Sequence, residues 1–314
     1  MSIARRTTPL WGVVILALAV MFLARSLDLI PAGIFDLIVR SWPGLLVLLG
    51  LWLLLRDRVP YGGLIALLAS AGLIGVVAVA AFTGRAAEQR DDTRQLIEQA
   101  LPVNTTLLRV RVETLATDVE LLRSLDTSAL VVGEFVGSSE NSIALEVEEP
   151  GDGSVTLALR EVQASPFPML EAVGRGTLRL ELPPNIPLDI AFAGSDGSAT
   201  LNVNGLDLER LNVTVGRGDV VVTMPAYQPR LSPVGGLNGT IATNGGDVTI
   251  FIPAEVAARL ELNRFGSGIE PQYDANIYNY LVGDVLEARS IEIADIVVRY
   301  AVTAPRGRIR VEVP

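Results

Sequence analysis

The sequence predicts an N-terminal all-α transmembrane region of three helices, followed by an all-β, solenoid-like domain of stacked short strands. Three observations predict this fold class. The first 82 residues contain three long apolar runs, residues 83–100 are charged, and apolar and polar residues alternate from residue 101 to the C-terminus. We therefore divide the chain into a transmembrane region at 1–82, a charged juxtamembrane linker at 83–100 and a β domain at 101–314.

The apolar runs predict helices at about 10–30, 34–55 and 59–82. A helix needs ~20 residues to cross the ~30 Å of hydrocarbon in a bilayer, and residues 59–82 supply 24 without a charge. The first two runs reach that length when their flanks are included, with the turn Pro31-Ala32-Gly33 between them. A cleavable signal peptide is the alternative for the first run, but no small-residue cleavage site follows it.

Two groups of residues in this region are candidate functional positions. The first is an interface charge cluster near the bend between the first two helices, formed by Arg25, Asp28, Asp36 and Arg40. Charges near a bilayer suggest function by default, although these four residues are also suited to flank a helical hairpin. The second is a helix-packing stripe of small residues four positions apart, Gly62, Ala66 and Ser70. Such a stripe permits close helix contact, within this protein or with a partner.

The arginines in the membrane region also predict an orientation. Three crossings place the two ends of the chain on opposite sides of the membrane. Arginines 5, 6, 56 and 58 would share the cytoplasmic side, against arginines 25, 40 and 85 on the other. The positive-inside rule therefore predicts that the β domain lies outside the cytoplasm.

Composition excludes several kinds of chemistry. The chain has no Cys, His or Lys, so it has no disulfide, no imidazole or thiolate zinc site and no Ser-His or Cys-His nucleophile. Residues 83–314 hold nineteen arginines against 32 acids, a balance of −13 that disfavours nucleic acid. No local pair of carboxylates stands out as an acid and a base. We predict no catalytic residues, no cofactor and no metal site.

A ten-residue frame occurs in six copies in the β domain, and the first copy is GDGSVTLALR at 151–160. Its fifth, seventh and ninth places are apolar in every copy, and such alternation predicts half-buried strands. The glycines at its third place are separated by 23, 21, 21, 28 and 61 residues, and we expect them to supply a backbone angle that other residues reach only with strain. They are the structural repeat glycines Gly153, Gly176, Gly197, Gly218, Gly246 and Gly307.

A recurring period of 20–30 residues favours a stack in which each rung buries its apolar edge against the next. Degenerate rungs are expected in the longest gap, around RLELNRFGSG and ARSIEIADIVVRYAV. An antiparallel sandwich of hairpins is the alternative, because LNVTVGRGDVVVTM is able to fold as one hairpin.

The stretch QYDANIYNY at 272–280 is the most distinctive polar segment of the β domain. Tyrosine faces beside amides and carboxylates suit the binding of a sugar or a peptide. The alternative is that the stretch is an end cap or a long loop over the stack. Its candidate residues are Tyr273, Asp274, Asn276, Tyr278 and Tyr280.

Two parts of the sequence resemble known families. The run GLDLERLNVTVGRGDVVVTMP at 205–225, with the earlier LPVNTTLLRVRVETLATDVELL, resembles the toast-rack β domain of bacterial envelope proteins. Trp42-Pro43 at the start of the second helix, with Gly50 before its end, resembles the LiaF-type membrane region. The resemblance implies a LiaF-like protein, a family associated with responses to cell-wall-active antibiotics, whose members tune a membrane histidine kinase and its response regulator. It implies no catalytic residue, and related toast-rack domains also occur in adhesin-like surface proteins.

The sequence thus predicts a non-enzymatic, multi-pass protein of the bacterial cell membrane, embedded in the lipid bilayer, with its β domain extracytoplasmic. Its expected partner is a membrane sensor kinase or another envelope protein, and its expected role is modulation of envelope-stress signalling. The alternative is an adhesin-like surface module that binds glycan or another cell-surface ligand, with the helices as its anchor.

Overall fold

The computed structural model describes residues 84, 88–126, 128–164, 174–226, 236–263 and 269–314. The chain divides into two compact units, 1–86 with 167–173 and 87–166 with 174–314, and the second contains the β domain. None of the helical structure in the described residues is long and apolar enough to cross a membrane. The three predicted helices lie outside the described residues, as do the interface charge cluster (Arg25, Asp28, Asp36, Arg40) and the helix-packing stripe (Gly62, Ala66, Ser70).

The described residues form nineteen strands. In chain order they are β1 (Thr93–Ala100), β2 (Leu107–Thr114), β3 (Thr117–Arg123), β4 (Leu130–Gly137), β5 (Asn141–Glu148), β6 (Ser154–Gln163), β7 (Gly176–Leu182), β8 (Leu188–Asp196), β9 (Ala199–Asn202), β10 (Leu208–Arg217), β11 (Val220–Thr223), β12 (Gly239–Thr243), β13 (Val248–Phe251), β14 (Val256–Asn263), β15 (Gln272–Tyr273), β16 (Tyr278–Leu281), β17 (Val285–Ala288), β18 (Ile296–Thr303) and β19 (Ile309–Glu312).

These strands form two sheets with matching internal orders. Sheet one has the order β1-β4-β7-β3-β9-β11-β13-β19-β15, and sheet two has the order β16-β17-β14-β18-β12-β10-β8-β2-β6-β5. The central strands of both sheets pair in parallel, whereas β1, β4 and β5 at one end and β16 and β17 at the other pair antiparallel. Antiparallel strands therefore flank the parallel stack, except at the β15 edge of sheet one, where β15 pairs in parallel with β19.

Each rung of the stack is one strand of sheet two followed by one strand of sheet one. The chain passes from β2 to β3, β8 to β9, β10 to β11, β12 to β13 and β18 to β19, and each rung lies beside the next in both sheets. The predicted stacked arrangement is confirmed. The hairpin alternative for LNVTVGRGDVVVTM is wrong, because β10 and β11 belong to different sheets.

The repeated frame is in register along sheet one. Its fifth-place residues stand opposite one another across neighbouring strands, through Val119 of β3. All are buried, and in spatial order they are Leu178, Val119, Ala199, Val220, Val248 and Ile309. The fifth places of the repeat thus form a continuous row of core residues that runs perpendicular to the strands, whereas Val313, at the ninth place of the last copy, is 36% exposed.

The first copy of the frame departs from this arrangement. GDGSVTLALR forms β6, which lies in sheet two, where Val155 pairs with Leu108 and Leu157 with Val110. Because both sheets bury their inner face, a strand of either sheet has the same alternation of apolar and polar residues, and the pattern does not indicate to which sheet a strand belongs. The two degenerate rungs expected in the longest gap are strands of sheet two as well, β14 and β18.

The repeat glycines of neighbouring rungs stack on one another, and the expected reason for them needs a correction. Gly197 and Gly218 do have positive φ angles, 132° and 140°, but Gly246 and Gly307 do not. At Gly246 and Gly307 the requirement is space, because an added Cβ would lie 2.0 Å from the carbonyl oxygen of Gly218 and 1.7 Å from that of Gly246, respectively. Steric exclusion between rungs is the shared cause.

The other two repeat glycines stand outside this column. Gly153 has a φ of 82° in the turn before β6. Gly176 begins β7, where a Cβ would lie 2.7 Å from the ring of Phe135 and 2.9 Å from Thr117 Oγ1. Gly176 therefore meets the same demand for space, imposed by side chains rather than by a neighbouring turn.

The segment expected to be a charged linker contains a strand. Within 83–100, the residues of β1 pair antiparallel with β4 and form the edge of sheet one. Ile97 is its single buried residue, at 4% exposure, and packs into the core. One inward apolar side chain among polar neighbours gives too weak an alternation to predict a strand, which explains why the pattern suggested a spacer.

Candidate functional site

The stretch 272–280 lies at the C-terminal end of the stack. β15 pairs in parallel with β19 and ends sheet one, whereas β16 and β17 form a hairpin that ends sheet two beside β14. We call residues 272–288 the C-terminal cap. The segment joins the ends of both sheets because the connection from β15 to β16 is a short turn.

Asp274 and Asn276 build that turn. Asp274 Oδ1 accepts hydrogen bonds from the backbone N–H of Asn276 at 2.8 Å and from its side-chain amide at 2.9 Å. The carbonyl of Asp274 accepts the N–H groups of Ile277 and Tyr278 at 3.1 and 3.0 Å. The polar groups of both residues thus hold the turn together.

The three tyrosines of the cap have different environments. Tyr278 is buried at 2% exposure, and burial raises the pKa of its phenol to about 12. The rings of Tyr273 and Tyr280 stack with their centroids 6.3 Å apart and their planes inclined by 26°. Tyr280 remains 37% exposed, and its hydroxyl donates to Asp284. Tyr273 and Tyr280 are therefore the aromatic surface that a ligand is able to reach, and Tyr278 is part of the core.

A groove of about 370 Å³ runs beside Tyr273. Its walls are Gln272, Tyr273, Asp274 and Ile277 of the cap together with Val311, Glu312 and Val313 at the C-terminus. An aromatic ring, an amide and two carboxylates beside apolar side chains suit hydrogen-bonded binding of a polar ligand. Nothing in this set supplies a nucleophile with an adjacent base.

The hairpin tip of the cap exposes apolar side chains that the sequence analysis did not single out. Val282 is fully exposed and Leu281 is 38% exposed, in a turn where Gly283 and Asp284 both have positive φ angles. The Gly-Asp pair between two short apolar segments was the available signal for this hairpin.

Carboxylates elsewhere in the domain are used for structure. Glu161 is 4% exposed, and its Oε2 accepts the backbone N–H groups of Leu115 at 2.6 Å and Ala116 at 3.0 Å. Its Oε1 accepts the Asn141 side-chain amide at 2.7 Å. Across the described ranges, no group of three or more acidic side chains is placed to hold a metal ion.

Two sheets built from stacked parallel rungs define the class of this domain, which is a toast-rack β domain. In the N-terminal part of the chain, residues 10–86 match the model of the LiaF transmembrane domain. This match points to a membrane-anchored protein, and it confirms the resemblance that rests on Trp42-Pro43 and Gly50.

Two solved structures are similar to the chain. A candidate cell adhesion protein from Clostridium sporogenes superposes with a TM-score of 0.55 at 15% sequence identity, over 71% of this chain and 100% of its own. A candidate adhesin from Bacteroides fragilis matches 71% of this chain and 99% of its own, at 11% identity and a TM-score of 0.25. The first likeness shows the fold of the β domain, and the second carries no argument. None of the curated proteins matches this sequence.

Proposed function

We propose that this protein is a non-enzymatic, multi-pass membrane protein that modulates envelope-stress signalling through contacts with a membrane histidine kinase system. One observation carries the proposal: a LiaF transmembrane domain at 10–86 and a toast-rack β domain are joined in a single chain. The chemistry of the β domain supports it, because the cap and its groove offer binding groups and no nucleophile.

The β domain lies outside the cytoplasm in this proposal and provides a stiff binding surface. Successive turns are tied by backbone hydrogen bonds, such as Gly197 N–H to Arg217 O at 2.9 Å and Gly218 N–H to Gly245 O at 3.2 Å. The partner kinase contacts the helices through the small residues Gly62, Ala66 and Ser70, with the charges of Arg25, Asp28, Asp36 and Arg40 aligning the pair at the membrane surface.

A helix exchange tests this division of roles. Residues 1–82 are replaced by one unrelated transmembrane anchor that keeps the β domain on the same side of the membrane. Kinase-dependent reporter induction by a wall-targeting antibiotic is then compared in cells with the native chain, the exchange or no copy of the protein. The proposal expects the exchange to behave like the deletion. Native-like induction with the exchanged anchor, or a deletion without effect on induction, would contradict it.

A second function is favoured by the likeness to the candidate cell adhesion protein and by the aromatic groove in the cap. In that case the β domain binds glycan or another surface ligand, and the helices act only as an anchor. Adhesion of cells to a glycan array would then survive the helix exchange. It would fall when Tyr273 and Tyr280 are both changed to Ala, because their stacked rings are the exposed aromatic surface.

A further inference from the structure

The outer face of sheet two carries a trough where β2, β8 and β10 lie side by side. Its volume is about 170 Å³, and it is lined by Arg109, Arg111, Asp189, Ala191, Arg210 and Asn212. No residue lines both this trough and the groove beside Tyr273, so the two are different sites.

Strand register brings these residues together from distant parts of the sequence. Arg109 and Arg210 stand on either side of Asp189, which pairs with both across the sheet. Two residues further along the strands, and therefore on the same face of the sheet, Arg111 and Asn212 flank Ala191 in the same way. Neighbouring strands are ~4.8 Å apart, so the flanking side chains are separated by ~10 Å. The small side chain between Arg111 and Asn212 leaves the floor of the trough open.

The arginines of the trough have donors to spare. Arg109 donates to Ser154 Oγ at 2.9 Å, and in the described part of the chain neither Arg111 nor Arg210 has an ion pair or a side-chain hydrogen bond. Several arginines elsewhere on the two sheets are paired with carboxylates, namely Arg94, Arg160, Arg175, Arg179, Arg259 and Arg310. With Asp189 as the single acid among its lining residues, the trough keeps a net positive charge in a domain whose charges sum to −13 over residues 83–314.

We propose that this trough binds a phosphodiester that carries hydroxyl groups, such as a glycerol phosphate or sugar phosphate unit. Guanidinium groups donate pairs of parallel hydrogen bonds to phosphate oxygens, and three of them surround one shallow floor. Asp189 lies between Arg109 and Arg210, where it accepts a hydrogen bond from a ligand hydroxyl, and Asn212 accepts or donates a second one. A bare anion uses only the arginines, whereas a polyol phosphate uses every polar side chain of the trough.

This inference goes beyond the proposed signalling role and does not depend on it. The same chemistry occurs in two sources, the headgroup of an anionic phospholipid and a soluble or wall-bound polymer of polyol phosphate. Binding to either source supports the assignment, and binding to neither overturns it.

The first test measures affinity on the full chain purified in a neutral detergent. Poly(glycerol phosphate) is titrated by calorimetry into the native chain, the double variant R111Q/R210Q and the matched variant R94Q/R217Q. The two variants remove the same net charge, but Arg94 and Arg217 lie outside the trough and pair with Glu134 and Asp196. We expect R111Q/R210Q to bind about tenfold or more weakly, and R94Q/R217Q to bind like the native chain. Absent binding by the native chain, or equal losses in the two variants, overturns the proposal.

The second test uses Asp189→Asn and compares poly(glycerol phosphate) with inorganic pyrophosphate, which has no carbon-bound hydroxyl. Loss of the carboxylate removes repulsion of the phosphate, so pyrophosphate is expected to bind more tightly than to the native chain. The preference for the polyol phosphate over pyrophosphate is expected to fall, because its hydroxyl loses an ionised acceptor. An unchanged preference overturns the role assigned to Asp189 and with it the hydroxyl-bearing ligand.

The source is identified by flotation with the same full chain in nanodiscs of zwitterionic lipid. Vesicles of phosphatidylglycerol are compared with vesicles of phosphatidylcholine, with the polymer as competitor. Association with phosphatidylglycerol that R111Q/R210Q abolishes assigns the lipid headgroup. Polymer binding without vesicle association assigns the polymer.

Discussion

Asp219 accepts the backbone N–H of Asp247 at 2.8 Å, although the two residues are 28 positions apart in the sequence. Equivalent bonds join Asp118 to the N–H of Ser198 at 2.7 Å and Asp247 to the N–H of Arg308 at 2.9 Å. Asp219 and Asp247 follow the third-place glycine of their copies of the frame, and Asp118 has the equivalent position in β3, so each of the three holds the start of a neighbouring strand. At these three places a turn is bound to its neighbour by a side chain as well as by the backbone.

Gly218→Ala is expected to destabilise the β domain by roughly 2 kcal/mol or more. The new Cβ would lie 2.2 Å from the carbonyl oxygen of Gly197, at a φ of 140°. The measurement is chemical unfolding of the full chain in detergent, followed by the far-UV circular dichroism of the β structure. Gly245→Ala is the matched control, because its Cβ would be 3.6 Å from its nearest neighbours and its φ is not positive. Equal midpoints for the two variants would refute the stacked-glycine explanation.

Glu161→Gln is expected to cost about 1–3 kcal/mol of unfolding free energy. The buried carboxylate accepts from the N–H groups of Leu115 and Ala116, and an amide presents one NH₂ group where acceptors are required. Glu113→Gln serves as the control, since its side chain is 55% exposed in a surface ion pair with Arg160 and should change stability by less than ~0.5 kcal/mol. Similar small effects in both variants would show that the buried carboxylate does not hold this turn.

We expect the β domain to lose stability in alkaline solution because of the buried phenol of Tyr278. Its folded pKa is raised from 10.0 to about 12 by burial, so its neutral form is favoured in the folded state. The contribution is fully present below pH 10, where neither state is ionised, and is lost as the pH rises from about 10 through about 12. Midpoints of chemical unfolding between pH 9 and pH 12 should therefore fall less steeply in Tyr278→Phe than in the native chain. Parallel curves would contradict the assignment to this residue.

The alternating frame predicted the buried positions of β7, β9, β11, β13 and β19, with the exception of Val313, because a strand with one buried face places every second side chain in the core. The sheet to which each strand belongs was not predictable from this alternation. β6 carries the same frame as β7 but lies in sheet two, and β6 and β7 also stack outside β2 and β3, which precede them in the chain. That order depends on long-range pairing, for which a single sequence carries no local signal.

The candidate site shows the same limit. Composition identified 272–280 as distinctive, but Tyr278 and Tyr280 differ in burial because only Tyr280 lies near the exposed hairpin tip. The trough on sheet two was missed altogether. Arg109 and Arg210 are 101 positions apart in the sequence, and only the strand register places both beside Asp189.

Ile97→Ala is expected to destabilise the β domain by about 2 kcal/mol or more. Ile97 is the buried side chain of β1, a strand in the segment expected to be a linker. Leu96→Ala is the control, because Leu96 is 70% exposed on the same strand and should have little effect. A neutral result for both substitutions would mean that this segment contributes nothing to the fold.

The side of the membrane on which the β domain lies tests the central claim most directly, since envelope sensing and surface binding both require it to be outside. A reporter enzyme active only outside the cytoplasm is fused after Pro314, with a fluorescent reporter that matures only inside as its counterpart. Both are also fused after Arg58, which the positive-inside rule assigns to the cytoplasm. The account predicts outside activity at Pro314 and inside fluorescence at Arg58. Inside fluorescence at Pro314 without outside activity would contradict it.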